Sequence, residues 1–121
     1  MVTLAADAPR HETPNAVMRT LAAPSLGGSE LSVWEVAMRA GQRGPTHEVD
    51  REQVWTVVSG ELRVEAGGET FSVRAGDTLC LPPDAHRRVA AITDAHAVVA
   101  SRACPVVTTA DGDSRPLPWA A

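Results

Sequence analysis

The stretch Gly41-Gln-Arg-Gly-Pro-Thr-His47-Glu-Val49-Asp-Arg-Glu-Gln53-Val-Trp55-Thr-Val57-Val-Ser-Gly60 decides how the rest of the chain is read. Its second half, from Gln53 to Ser59, is rich in valine, threonine and tryptophan and gives the strongest strand signal in the chain. Side chains alternate between faces along a strand, so Gln53, Trp55 and Val57 share one face and turn inward together.

Outward from this stretch, short β-type runs follow one another, broken by turn residues. On the N-terminal side, Glu30–Met38 alternates, with Ser32, Trp34, Val36 and Met38 on one face, and Ala16–Ala22 is a weaker run ended by Pro24 and Gly27-Gly28. On the C-terminal side, Glu61–Glu65 and Glu69–Arg74 flank Ala66-Gly67-Gly68, a hairpin signal that sets Leu62 and Val64 against Phe71 and Val73. Thr78–Leu81 stops at Pro82-Pro83, and Arg87–Ile92 pairs with Ala95–Ser101 around Thr93-Asp94. Helical periodicity is nowhere sustained over about 10–12 residues. Residues 1–15, with Pro9 and Pro14, read as an extended arm, 16–103 as the folded barrel, and 104–121 as a Pro-rich, extended tail. Trp119 is a candidate anchor of that tail, to the barrel or to a second subunit. The pattern is all-β and leaves barrel, jelly roll and immunoglobulin-like sandwich open.

Bulk properties narrow the partners. At 121 residues the chain is one domain with room for a real core. A net charge of −4, with eleven scattered basic residues, argues against nucleic acid. No apolar run approaches the roughly 18 residues of a membrane span, and the N-terminus lacks the pattern of a signal peptide, so a cytoplasmic protein is expected. Cys80 and Cys104 are expected as free thiols in a reducing compartment, with Cys80 buried as a structural residue. His96, in the last strand, is expected to be packed or exposed rather than catalytic. Asp50 and Glu52 read as rim or surface residues.

The spacing of Gly41–Gly60 matches the first cupin signature, G-x5-H-x-H-x3-E-x6-G. Gly76–Pro82 followed by Asp84 has the spacing of the companion signature, G-x5-P-x-G-x2-H-x3-N. The chain resembles a small single-domain cupin of the RmlC-like jelly-roll superfamily, with a degenerate metal site. The resemblance covers Gly41 to about Ala91. It implies a cupin double-stranded β-helix, or jelly-roll barrel, with extended N- and C-terminal arms, a pocket in the barrel mouth, and a homodimer.

The signatures imply a role for each position. His47 stands at the first ligand position and is expected to line the pocket. Val49 replaces the second histidine and cannot ligate a metal. Gln53 replaces the glutamate, which removes a negative charge. Arg87 falls at the third histidine position, and Ala91 at the asparagine, if the second stretch is aligned without a gap. A buried guanidinium needs an anion or a strong acceptor, so Arg87 is a candidate to take over the metal's role by holding a ligand oxyanion. A one-residue slip would instead turn His86 inward, and His47, Gln53 and His86 could then hold zinc, iron or nickel. Both registers stay open. Trp34, Val49, Trp55, Val57 and His86 are candidate substrate-binding residues, the tryptophans as core or as walls for a flat ligand.

Three functions remain in play. The first is a metal-independent isomerase or cyclase acting on an anionic or enolisable, polyketide-like substrate, with His47 as acid–base group, Arg87 as oxyanion holder and Gln53 as orienting donor. The second is a metal-dependent enzyme using the His47/Gln53/His86 ligands. The third is a non-catalytic binder of a small organic ligand.

Overall fold

The computed structural model describes residues 1–121, which form twelve strands and two single-turn 3-10 segments. The strands are β1 (Arg10–Glu12), β2 (Val17–Ala22), β3 (Leu31–Met38), β4 (His47–Val49), β5 (Gln53–Ser59), β6 (Glu61–Ala66), β7 (Glu69–Arg74), β8 (Thr78–Leu81), β9 (Arg87–Ala91), β10 (Ala95–Arg102), β11 (Val106–Thr109) and β12 (Ser114–Pro116). They make two six-stranded antiparallel sheets, ordered β1-β2-β3-β10-β5-β8 and β12-β11-β4-β9-β6-β7, in a jelly-roll arrangement.

Alternation along the strands builds the core. Ser32, Trp34, Val36 and Met38 are all buried on β3, and on β10 Ala95, Ala97, Val99 and Ser101 face the same way. The β6–β7 hairpin sets Leu62 opposite Val73 and Val64 opposite Phe71. Each fully buried Leu or Val on these faces contributes about 1.5–3 kcal/mol. Gly60 turns β5 into β6 at φ +79°, and a Cβ there would stand 2.0 Å from the Asp94 carbonyl oxygen, so only glycine fits.

The segments read from sequence as arm and tail, 1–15 and 104–121, contribute β1, β11 and β12 to the two sheets. β1 pairs with β2, and β11 pairs with β4 on one side and β12 on the other. The β-branched run Val106–Thr109 is a strand in its own right, and its prolines sit where they cost no ladder bonds: Pro105 precedes β11 and Pro116 lies on the edge strand β12. The last residues are tied to the other sheet by hydroxyls. Ser32 Oγ donates to the Ala120 carbonyl at 2.6 Å, Thr20 Oγ1 to the Trp119 carbonyl at 2.7 Å, and Ser25 Oγ to the Ala121 carbonyl. These bonds satisfy the buried hydroxyls of Ser32 and Thr20 and span the barrel from one sheet to the other.

Cys80 is exposed rather than buried, because Leu79 and Leu81 take the inward positions of β8. Cys104 is exposed too, and both thiols are free. His96 lies on the outer face of β10, its Nε2 3.3 Å from Glu35, which also meets Arg19 at 3.8 Å. No helix is long and apolar enough to cross a membrane.

Candidate functional site

Between the sheets lies a cavity of about 560 Å³. Trp34, Val36 and Met38 of β3 wall it on one side, and His47, Gln53 and Trp55 bring polar groups to it. Its rim comes from residues 11–16 of the N-terminal segment and 115–119 near the C-terminus. There the rings of His11 and Trp119 lie 6.3 Å apart, tilted by 59°. A second, more polar depression of about 470 Å³ near Arg39 and Asp94 shares part of this rim and Met38, but His47, Gln53 and the tryptophans do not line it.

His47 and Arg87 are direct cross-strand partners, so their side chains leave the same face of the sheet. Ahead of Arg87, Asp84 holds φ +63° and its amide donates to the Val49 carbonyl at 2.8 Å. Aspartate tolerates this left-handed conformation better than most residues. The turn it makes stands where the second signature has glycine. It starts β9 with residue 87 inward, and Arg87, Val89 and Ala91 are buried while Arg88 and Ala90 face outward.

Arg87 is only 1% exposed. Its guanidinium is held by three protein acceptors: Nη1 donates to Gln53 Oε1 at 3.2 Å, Nη2 to the Pro82 carbonyl at 2.8 Å, and Nε to the Ala85 carbonyl at 3.1 Å. Burial pulls its pKa below the usual arginine value, while the charges of Asp84 and Glu48 push the other way. No carboxylate touches it, and it does not line the cavity. Arg87 stands behind Gln53, its charge delivered through that amide.

Gln53 is 3% exposed, and its Oε1 also accepts from Trp55 Nε1 at 3.1 Å. His47 Nδ1 lies 2.9 Å from the Pro45 carbonyl. A carbonyl can only accept, so Nδ1 carries the proton and the neutral ring presents a bare Nε2. Burial is the main cause that lowers the His47 pKa; the Pro45 bond opposes it, and the Arg87 charge adds to the lowering. Near neutral pH this histidine is an unprotonated acceptor at an apolar cavity.

Other sequence candidates fall elsewhere. His86 points out of the barrel, with 73% of its side chain exposed and Nε2 2.7 Å from Glu48 Oε1. The inward turn of Arg87 is the reason, since adjacent strand residues face opposite ways. Val49 and Val57 point inward but are sealed in the core, each 1% exposed, and do not line the cavity. Trp34 and Trp55 do line it. Sequence reasoning missed Thr109 and Arg115 as lining residues and gave Trp119 only an anchoring role. The β-branched run at 106–109 was the available signal.

The residues present do not fit a resident metal ion. No three His, Cys, Asp or Glu side chains come together anywhere in the chain. At the four signature positions stand one imidazole, a valine, a guanidinium and an amide whose oxygen is already engaged by two donors. The alternative set of His47, Gln53 and His86 is not assembled, because His86 lies on the outer surface.

Several solved structures share the fold. An RmlC-like cupin from Shewanella frigidimarina NCIMB 400 aligns with a TM-score of 0.73 at 20% identity, over 84% of this chain and 88% of that one. KdgF from Halomonas sp. gives 0.72 at 20% identity, over 84% and 93%. Salicylate 1,2-dioxygenase from Pseudoaminobacter salicylatoxidans, with gentisate adducts, gives 0.69 at 24% identity, over 78% of this chain but 26% of that one. At these identities the likeness shows the fold alone. No curated protein matches the sequence. The model of the cupin domain matches residues 34–101, more than half of the chain, and the chain belongs to the cupin family.

Proposed function

We propose that this cupin binds a flat, enolisable or anionic small molecule and moves a proton on it without a metal, as an isomerase or cyclase does. The observation that carries this reading is the state of His47: a half-buried, neutral imidazole with Nδ1 committed to the Pro45 carbonyl and Nε2 free at the cavity. Such a nitrogen is suited to general-base work near neutrality.

In the proposed step, Nε2 takes a proton from a carbon or oxygen acid of the ligand, and the electron pair left behind moves onto an adjacent carbonyl oxygen. The Gln53 amide N–H donates to that oxygen, and the fixed charge of Arg87 behind it favours the negative charge that develops there. Return of the proton from Nε2–H to a different atom gives an isomer. Attack of the carbanion on a second carbonyl carbon closes a ring, as a polyketide-like chain would require: the C=O π pair becomes an alkoxide, which takes the proton back from Nε2–H. This assigns Arg87 an indirect role, because its three donors are engaged within the protein. Trp34 and Trp55 supply the apolar walls against which a flat ligand stacks.

The test is exchange of the α-hydrogens of 1-indanone in D2O, followed by NMR. The wild-type protein should accelerate exchange, and His47→Gln should lose about a hundredfold or more of that acceleration. EDTA should leave the rate unchanged. Loss of activity on chelation would restore a metal-dependent mechanism, and tight binding without exchange would make the protein a binder.

A further inference from the structure

The inner end of the cavity presents two hydrogen-bonding groups whose polarity is fixed by the protein. Gln53 Oε1 lies 3.1 Å from Trp55 Nε1 and 3.2 Å from Arg87 Nη1, and both neighbours can only donate. Turning the amide over would set N–H against N–H on two sides. The oxygen therefore faces Arg87 and Trp55, and the NH2 group, with no acceptor in the protein, is left to the cavity. Arg87 cannot follow a rotation of the amide, because the Pro82 and Ala85 carbonyls hold its other two nitrogens at 2.8 and 3.1 Å. His47 has the opposite character: the Pro45 carbonyl fixes the proton on Nδ1, which leaves Nε2 as an acceptor. Around this pair the lining is apolar, from Trp34, Val36, Met38 and Val89.

We infer that the cavity selects ligands in which an O–H or N–H donor stands next to a carbonyl oxygen on a flat frame, the keto–enol or cis-amide arrangement, and that Arg87 is the positioning residue which sets this preference by locking Gln53. The ligand's donor meets His47 Nε2 and its carbonyl accepts from Gln53 Nε2. Neither Gln53 Nε2 nor His47 Nε2 has a hydrogen-bond partner within the protein, so a ligand lacking one of the two groups leaves the matching protein group unpaired in the complex. The inference rests on the same cavity as the proposed function and adds the substrate class and the role of Arg87.

Isothermal titration calorimetry with three matched probes tests it. These are 3,4-dihydroquinolin-2(1H)-one, which has both groups, its N-methyl derivative, which lacks the donor, and 1,2,3,4-tetrahydroquinoline, which lacks the carbonyl. Wild-type protein should bind the lactam about tenfold or more tighter than either analogue. In Arg87→Met the preference over tetrahydroquinoline should collapse towards one, while the preference over the N-methyl lactam survives because His47 is untouched. His47→Phe should give the reverse pattern. A purely structural role for Arg87 would weaken all three probes alike. If Arg87→Met does not fold, Gln53→Met should show the same selective loss of the carbonyl preference, and Trp55→Phe, which removes one of the two locking donors, a partial one. Equal affinity for the three probes in the wild type overturns the inference, and so does a carbonyl preference that survives both Gln53→Met and whichever of Arg87→Met or Trp55→Phe folds. The readout is equilibrium binding, so the expected preferences without hydrogen exchange would uphold this inference while sinking the proton-transfer reading.

Discussion

The two ends of the inner space are built from the same strand alternation and come out opposite in character. On the side of the β6–β7 hairpin, Leu62, Val64 and Val73 belong with Val57 to one buried apolar cluster, and none of them lines the cavity. On the side closed by β11, β12 and the N-terminal segment, inward positions hold His47, Gln53 and two tryptophans, and the space between them stays open. The difference is one of side-chain size and polarity at equivalent inward positions, since the backbone pattern is continuous along β5 from Gln53 to Val57. A barrel of this kind can hold its fold with one end and expose chemistry at the other. The buried guanidinium of Arg87 lies where the two meet, bonded to loop carbonyls on one side and to Gln53 on the other.

Substitutions can break or sharpen this division. The largest effect is expected from Leu62→Ala, which should cost about 2–5 kcal/mol in urea denaturation through the cavity it leaves, with ligand affinity unchanged. A matching loss of affinity would show that the two ends are not independent. Arg87→Met should cost about 2–3 kcal/mol, because the Pro82 and Ala85 carbonyls and Gln53 Oε1 lose a charged donor. A variant as stable as the wild type would mean that the desolvation of the guanidinium cancels its bonds. Ser32→Ala should cost about 1–2 kcal/mol by taking from the Ala120 carbonyl its shorter donor and leaving it only the Cys104 amide at 3.4 Å, and hydrogen exchange should quicken first in residues 117–121.

The smallest effect is in pH. The folded-state pKa of His47 is lowered from 6.5, so above 6.5 the ring is neutral in both folded and unfolded chains and contributes nothing. As pH falls below 6.5, the unfolded chain takes up a proton that the folded one resists, and stability declines until the lowered folded value is reached. His47→Gln should abolish that part of the acid dependence of thermal unfolding.

Much of this was legible in the sequence, and the failures have physical causes. Eight runs of alternating or β-branched residues became strands, because period-two burial is a local property that a single chain displays. The strands missed were three or four residues long, and two of them, β4 and β11, pair with each other from distant parts of the chain. At the site, the signature spacing singled out His47 and Gln53, which line the cavity, and Asp84 at φ +63° shows how the second stretch keeps its turn without glycine. What the spacing could not convey is that Arg87 would find three acceptors within the protein. Two of these are backbone carbonyls, which no side-chain pattern announces. Cys80 was misplaced for a related reason. Both faces of β8 carry small or apolar side chains, and only the packing of Leu79 and Leu81 decides which is inward.

Trp34, Trp55 and Trp119 are the three tryptophans of the chain, all three border the cavity, and there is no tyrosine. Ultraviolet emission from this protein is therefore a report from the binding chamber alone, with no background from the remainder of the molecule. Quenching or a spectral shift during titration with an unlabelled compound library would reveal occupancy directly, before any reaction is known.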